Sequence, residues 1–509
     1  MHVSYKKLWK LLIDRDLKRT DLREIAGISS TSLAKLGKNE NVTTDVLVKI
    51  CAALECDFAD IMELVRNADS DGKDDDNMPL MPLMYRVNSF FAGIGGFDLG
   101  FERANFETIY QCEIDNYCTE VLADHWPEMI RDKDINAINL RNIPDAEVWC
   151  GGFPCQDVSV ASGAVQRLGL NGERSGLFFT YAKLLAQKRP KVVLIENVEG
   201  LFNSNGGRDF GVILQHLNNI GYAVSWRLLN SRYFGVPQSR PRVFICGWYR
   251  DPVKATRALF ESDGAESPHN QKKDFLTEAN NPSHYPKIPH VAYCLAATSG
   301  RHTGTDWSRT YVVCKNGVRR LTPIEYERLQ GFPDNWTLPS SHANDHSDDM
   351  DTLRYTATGN AVSVPLISWI ANRISNEIPA ESKNSRASYQ SIKDLIPEFF
   401  RAQWSDETVL MHDFTDTDRS YKWAKAGVVW KGRVIHGNVP PTPSMIIDSS
   451  LLDIVEKEPA DEKYYITSNA AEGILRRVNS QGRRLFSPLQ MALEELVNAK
   501  EKEGNRVYG

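Results

Sequence analysis

The sequence predicts an α/β fold built on a parallel sheet, and three observations carry that prediction. Strand-like and helix-like segments alternate from Tyr85 to about Trp248, the rhythm of parallel strands joined by crossover helices. A glycine-rich turn, Phe91-Ala92-Gly93-Ile94-Gly95-Gly96, follows directly on a short apolar strand that begins at Val87. A cysteine, Cys155 in Gly152-Phe153-Pro154-Cys155-Gln156, stands just beyond the apolar run Ala146 to Cys150, where a strand gives way to a loop. Open α/β sheets hold their ligands at such strand ends. A turn able to cradle a nucleotide, together with a strand-end thiol, reads as a cofactor-dependent enzyme with a cysteine nucleophile.

Composition narrows the setting. The 509 residues, 42% hydrophobic and 25% charged, suffice for several domains and at least one large core. No run is long and apolar enough to span a bilayer, and the N-terminus lacks the order of a signal peptide, so no membrane partner is expected. Nine cysteines with no CxxC pair argue for a reducing cytoplasm and against a zinc site. A net charge of -6 means that any nucleic-acid surface must be local and basic within an acidic whole.

Residues 1–66 read as an all-α domain. Leu8, Leu11, Leu12 and Leu17 share one face, followed by Leu22, Ile25, Ala26 and Ile28, and later by Val46, Leu47, Ile50 and Leu54. Asp57, with Asp60 three residues on, caps the last helix. Residues 67–84 read as a linker, acidic from Asp69 to Asp76 and then rich in Met and Pro. Strands are expected at 87–91, 108–112, 148–150, 192–195, 224–229 and 243–247. Helices are expected at 97–104, 177–187 and 210–220. The rhythm lapses over residues 251–318, which are rich in Ser, Thr, Asn, His and Pro, and returns as helical patterns at 322–330 and 364–374. Residues 385–509 form an accessory region. Trp423, Val428 to Trp430 and Val434-Ile435 predict a small sheet there. Arg476-Arg477 and Arg483-Arg484 predict a basic helix-and-loop patch, either an auxiliary DNA contact or a structural cap.

The glycine turn alone does not choose a cofactor, since NAD, FAD and S-adenosylmethionine sites all use close glycines. An acidic residue about 20 positions on, Glu113 or Asp115, has the spacing of a ribose-hydroxyl acceptor. The amino-terminal helices, with Ala26-Gly27 at a turn and Ser29 to Ser32 opening the next helix, fit a DNA-binding module or a small docking bundle. They resemble the Cro/C1-type helix-turn-helix. That resemblance implies a recognition helix near residues 30–36 with Ser29, Thr31, Ser32 and Lys35 against DNA.

Taken in order from Val87 to about Trp369, the motifs resemble the DNA (cytosine-5) methyltransferase family. The resemblance implies an S-adenosylmethionine-dependent, Rossmann-like sheet over residues 85–380, with a small target-recognition region at about 251–318 and a small α+β tail. It implies cofactor contacts from Phe91, Gly93, Gly95 and Gly96, from Glu113 on the ribose with Ile114 beside it, and from Asp134 and Ile135 around the adenine. Leu177, Asn360 and Ala361 complete that set. Cys155 becomes the nucleophile, Glu196 in Glu196-Asn197-Val198 the base-binding acid, and Arg240 and Arg242 in Gln238-Ser239-Arg240-Pro241-Arg242 two cationic forks, with Arg242 the nearer to the base. Gln166 and Arg167, in a glycine-bearing loop over residues 157–174, and Gln238, Arg301 and Arg309 are the implied DNA contacts. Implied partners are duplex DNA, the chain's own promoter as an operator, and a cognate restriction endonuclease; the implied setting is the cytoplasm and nucleoid of a bacterium or prophage host. One rival reading is a transcriptional regulator with a degenerate methyltransferase half, opposed by the intact Cys155, Glu196 and arginine pair. A transfer-RNA methyltransferase on the same scaffold is a second, disfavoured by the amino-terminal helices and the intervening region. A nicotinamide oxidoreductase is a third, and it gives the thiol no role.

The chemistry explains these residue types. Carbon 5 of cytosine is too weak a nucleophile to accept a methyl group unaided. A thiolate added at carbon 6 makes the ring an enamine and carbon 5 the attacking atom. An acid at N3 and an arginine at the carbonyl stabilise the charge that develops. The ring is closed off inside a stacked duplex, so the base must swing out. The sequence departs from the family at Ile114, where an aromatic is frequent, which weakens the expected edge contact with adenine.

Overall fold

A computed structural model describes residues 2–15, 17–37, 42–54, 56–65, 84–154, 177–261, 279, 284–298, 305–379, 409–410, 420–437, 439–457 and 459–507. Cys155, Gln166, Arg167, Arg301 and nearly all of the acidic linker lie outside these residues. The chain divides into two compact units, Met1–Leu83 and Met84–Gly509. Among the described residues no helix is long and apolar enough to cross a membrane.

The first unit runs β1 (His2–Ser4), α1 (Lys6–Asp14), α2 (Arg19–Ala26), α3 (Ser30–Gly37), α4 (Thr44–Ala53), α5 (Phe58–Ile61) and β2 (Glu63–Val65). Leu8, Leu12, Leu22, Leu36, Leu47, Ile50 and Ile61 fill its core. Gly27 closes α2 in the left-handed conformation, with φ 59°, a backbone that a β-carbon disfavours. Two residues later Ser29 Oγ accepts the Ser32 N–H at 3.0 Å and opens α3. The Asp57–Asp60 capping box is present at the start of α5. The pairing of β1 with β2, antiparallel, joins the two ends of the unit and has no signal in so short a run.

The second unit begins β3 (Tyr85–Phe90), α6 (Gly96–Glu102), β4 (Phe106–Cys112), α7 (Asn116–His125), β5 (Ile130–Asp132), β6 (Val148–Gly151), α8 (Leu177–Lys188), β7 (Val192–Val198), α9 (Arg208–Ile220), β8 (Tyr222–Asn230) and β9 (Pro241–Tyr249). It continues with α10 (Pro252–Leu259), the hairpin β10 (Tyr311–Cys314) and β11 (Gly317–Arg320), α11 (Pro323–Gln330), α12 (Asp348–Asn360) and α13 (Val364–Glu377). The last quarter supplies β12 (Val409–Leu410), β13 (Ala426–Trp430), β14 (Arg433–Gly437), α14 (Leu451–Ile454), α15 (Ser468–Ser480) and α16 (Ser487–Val507).

Ten strands form one sheet in the order β12-β14-β13-β8-β9-β7-β6-β3-β4-β5. The expectation of a parallel sheet holds from β5 to β7 and fails beyond it. There β9 runs antiparallel to β7 and β8, and the tail strands continue antiparallel. A nine-residue strand pair joined by the turn at residues 231–240 needs no crossover helix, which is why the alternation ends there. Side chains alternate between two buried layers. Val192 and Leu194 face α6, α10 and α13, whereas Val193 and Ile195 face α8 and α9.

The small sheet expected in the tail is an extension of the central one. Ala426 to Val429 pair with Val224 to Arg227 of β8. Gly427 lies flat against the Trp226 ring, where a β-carbon would collide. Helices α15 and α16 pack Ile474, Val478, Leu489 and Leu493 against Tyr311, Val313 and Val318 of the β10–β11 hairpin.

Candidate active site

Strand order reverses between β3 and β6 while the strands stay parallel, so the C-terminal ends of β3, β4, β5, β6 and β7 open onto one edge, the switch point where open sheets bind ligands. Because β9 runs the other way and pairs Arg242 with Val198, its first residues arrive at that same edge. The motif residues, scattered over more than 250 positions, meet there for this topological reason.

Three residues of the glycine loop, Phe91, Gly93 and Gly95, have positive φ, at 52°, 56° and 81°. Gly95 is required for space as well, since a β-carbon would sit 2.5 Å from the Trp126 ring. Gly93 faces open space, and its N–H donates to the Glu113 carboxylate at 2.7 Å. The other Glu113 oxygen accepts the Asp115 N–H at 2.8 Å. Burial holds the Glu113 carboxyl above its ordinary range, and the two amide donors offset only part of that. Ile114, beside it, is 68% exposed. On the next strand end, Asp134 accepts the Asn136 N–H at 2.9 Å, and Ile135 is buried behind it. A carboxylate at each of two neighbouring strand ends, an open glycine backbone and an exposed aliphatic side chain suit a ribose, an amino-purine edge and a purine face. The residues therefore fit S-adenosylmethionine. Leu177 packs with Phe91 in one apolar cluster, while Asn360 is exposed at the end of α12 with Ala361 buried next to it.

Further along the edge, Glu196 and Arg242 form an ion pair, Nε to Oε1 2.9 Å, with both side chains nearly buried. Gly152 lies against this carboxylate. A β-carbon there would be 3.3 Å from Glu196 Oε2, so the glycine lets the strand that leads to Cys155 approach the acid. Arg240 behaves differently from Arg242. It is 2% exposed, and its guanidinium donates to the carbonyls of Leu295 at 2.9 Å, Gly359 at 3.0 Å and Ala361 at 2.8 Å. Burial, with the adjacent Arg242 charge, lowers its pKa to about 10. Expected as a fork for substrate, Arg240 instead ties the start of β9 to the α12–α13 turn.

Gln238, expected to touch DNA, is fully buried. Its amide donates to the Leu329 carbonyl at 2.9 Å and accepts the Leu295 N–H at 3.0 Å, so it braces the site from inside the protein. Arg309 is half-buried and donates to the Thr298 carbonyl at 3.1 Å. In the first unit Ser29 and Ser32 hydrogen-bond to each other at 2.9 Å in the helix cap, while Thr31 and Lys35, four residues apart, are exposed on α3.

Sequence reasoning missed Cys294. Its sulfur lies 3.6 Å from Arg240 Nη1 and 3.8 Å from Arg242 Nη2. Burial alone would raise the thiol, but the two guanidiniums outweigh it and bring it below its ordinary range. No motif surrounds this cysteine; only the fold brings it to the arginines.

The family model for C-5 cytosine-specific DNA methylases matches residues 85–292 and 278–376, and that for Cro/C1-type helix-turn-helix DNA-binding domains matches residues 7–67. The type II methyltransferase M.NgoBI of Neisseria gonorrhoeae is 34% identical over 323 residues, covering 59% of this chain and 96% of that protein. M.HaeII of Haemophilus aegyptius is 34% identical over 334 residues, covering 61% of this chain and 98% of its own. A solved methyltransferase structure from Entamoeba histolytica aligns with 58% of this chain and 99% of its own at 18% identity and a TM-score of 0.42.

Proposed function

This chain belongs to the C-5 cytosine-specific DNA methylase family, and on that premise we propose that it methylates carbon 5 of a cytosine swung out of duplex DNA through a covalent adduct with Cys155. The observation that carries this reading is the Glu196–Arg242 pair, held against Gly152 three residues before the cysteine. When bound, S-adenosylmethionine supplies an electrophilic methyl group. Gly93, Glu113, Ile114 and Asp134 are the residues that hold it.

Cys155, as thiolate, forms a bond to carbon 6, and the electron pair of the 5,6 double bond moves toward carbon 5 and the N3–carbonyl system. Glu196 hydrogen-bonds or protonates N3, and Arg242 faces the ring carbonyl, so that the accumulating charge meets an acid and a cation already fixed to one another. Once carbon 5 carries its methyl group, loss of the remaining proton to a base re-forms the double bond and expels Cys155 as thiolate. Arg240 contributes by holding the arginine loop in register with the turn at Gly359 to Ala361.

The first unit, on this reading, binds an operator through Thr31 and Lys35 and represses the chain's own transcription. The type II relatives support a cognate endonuclease of the same specificity. A duplex containing 5-fluorocytosine tests the mechanism, because fluorine in place of the departing proton blocks release. The expected result is an irreversible adduct at Cys155, absent from Cys155→Ala; a wild-type protein that methylates but is never trapped would overturn the covalent route. Bisulfite sequencing of DNA from a naive host expressing the chain reports the modified base and its context. Removing residues 1–66 is expected to abolish operator binding and leave methylation largely intact.

A further inference from the structure

We propose that the α15–α16 hairpin near the end of the chain is half of the DNA-reading surface, with Arg483 and Arg484 gripping phosphates beside the flipped cytosine. This rests on the DNA-methylating reading above and adds a second recognition element to it.

Four observations join the hairpin to the recognition region. Arg477 Nε donates to Asp306 at 2.7 Å; that carboxylate is fully buried and also accepts the Tyr311 hydroxyl at 3.2 Å. The Ile466 N–H donates to the Val318 carbonyl at 2.8 Å, and Tyr465 bridges to Arg319. The two helices and the β10–β11 hairpin share one apolar cluster. The Arg483 guanidinium stacks over the Trp307 ring at 4.3 Å. Residues 311–320 therefore have no complete core of their own without the tail, and the two segments form one body.

That body abuts the catalytic mouth. The Thr310 hydroxyl accepts the Tyr293 N–H at 2.9 Å, and Tyr293 precedes Cys294, which lies against Arg240 and Arg242. From Trp307 to Thr310 is three residues, a span of about 11 Å at full extension. Trp307 is thus linked through Thr310, Tyr293 and Cys294 to the arginine paired with Glu196, so the stacked Arg483 lies on the segment that leads away from the site.

The turn between α15 and α16 is chemically suited to that position. Arg483 and Arg484 are exposed, and neither pairs with a carboxylate among the described residues. Stacking on Trp307 orients one fork without using its N–H groups. Arg477, by contrast, is committed to Asp306, so the predicted four-arginine patch separates into one internal tie, Arg476 exposed on α15, and the outward pair at the turn.

The test uses the full chain and a short duplex carrying one methylation site, with kcat and KM measured across a salt series. Loss of two phosphate contacts lowers the log–log salt slope of kcat/KM by about 1.8 and raises KM about 30-fold at 0.15 M salt. The Arg483→Ala/Arg484→Ala variant is expected to show both changes with kcat and unfolding midpoint unchanged. Arg483→Lys/Arg484→Lys keeps the charge and is expected to return KM to within about 3-fold of wild type. An alanine pair with wild-type KM and salt slope overturns the proposal while the methylase reading stands. A wild-type chain that methylates no duplex overturns that reading instead.

Discussion

Replacing Arg240 with alanine separates a bracing arginine from a reacting one. The wild-type guanidinium serves the carbonyls of Leu295, Gly359 and Ala361. Ala361 retains a second donor, Gln330 Nε2 at 3.1 Å, and Leu295 keeps the Cys294 thiol at 3.5 Å, so Gly359 alone loses its side-chain donor outright. An orphaned buried polar group costs about 1–3 kcal/mol, and the emptied volume adds to this. The loss is on the order of 4 kcal/mol, or about a thousandfold in the folding equilibrium. Scanning fluorimetry should show a midpoint lower by on the order of 5–10 °C. Isothermal titration should show weaker S-adenosylmethionine binding, because the turn at Gly359 to Ala361 is no longer tied. Arg242→Ala is the contrast. It strips the nearly buried Glu196 of its ion-pair partner, a loss of about 3–5 kcal/mol for a buried pair, and should abolish adduct formation while S-adenosylmethionine binding stays intact. An Arg240→Ala protein with a wild-type midpoint and only its chemistry lost would refute the assignment of the two arginines.

Three further outcomes are expected. Glu196→Gln leaves the fold intact and lowers single-turnover methylation by about 100-fold or more, since the acid at N3 is lost; wild-type turnover would remove Glu196 from the reaction. Gly95→Ala places a methyl group 2.5 Å from the Trp126 ring at φ 81° and should destabilise by about 3 kcal/mol, read as a lowered urea midpoint. The third concerns pH. Burial raises the folded pKa of Glu113, so its contribution to stability is fully present below the ordinary value of 4.5 and is lost as pH rises through the raised folded value. In the cofactor-free protein, Glu113→Gln should therefore flatten the stability profile above pH 4.5 while weakening cofactor binding; an unchanged profile would show that the carboxyl is not strained.

Much of the catalytic edge was legible because its signals are local. A glycine turn after a strand and a carboxylate ending a strand each announce their place within a few residues, whereas Cys155 lies outside the described residues. Arg240 and Arg242 were not separable in that way. Standing two apart, they share a face by strand periodicity, and only a turn about 120 residues downstream decides which one is buried. Gln238 misled for the same reason, since its partners are Leu295 and Leu329. Helix α12 escaped notice because its inner face carries Asp351, Arg354 and Thr358, a buried polar set that binary patterning reads as surface. Arg354 is satisfied there by Glu327 at 2.9 Å, on a different helix.

The pairing of β13 with β8 also sets an order of events during synthesis. Strand β8 is complete at Asn230, yet its outer neighbour ends at Trp430, about 200 residues later. At about 5–20 residues per second, the ribosome leaves that strand bare for roughly 10–40 seconds. During that interval a buried, Trp-bearing edge offers unpaired amides to any neighbouring nascent chain. Ribosomal pausing between these two points, or premature release before Ala426, would therefore favour co-aggregation over maturation.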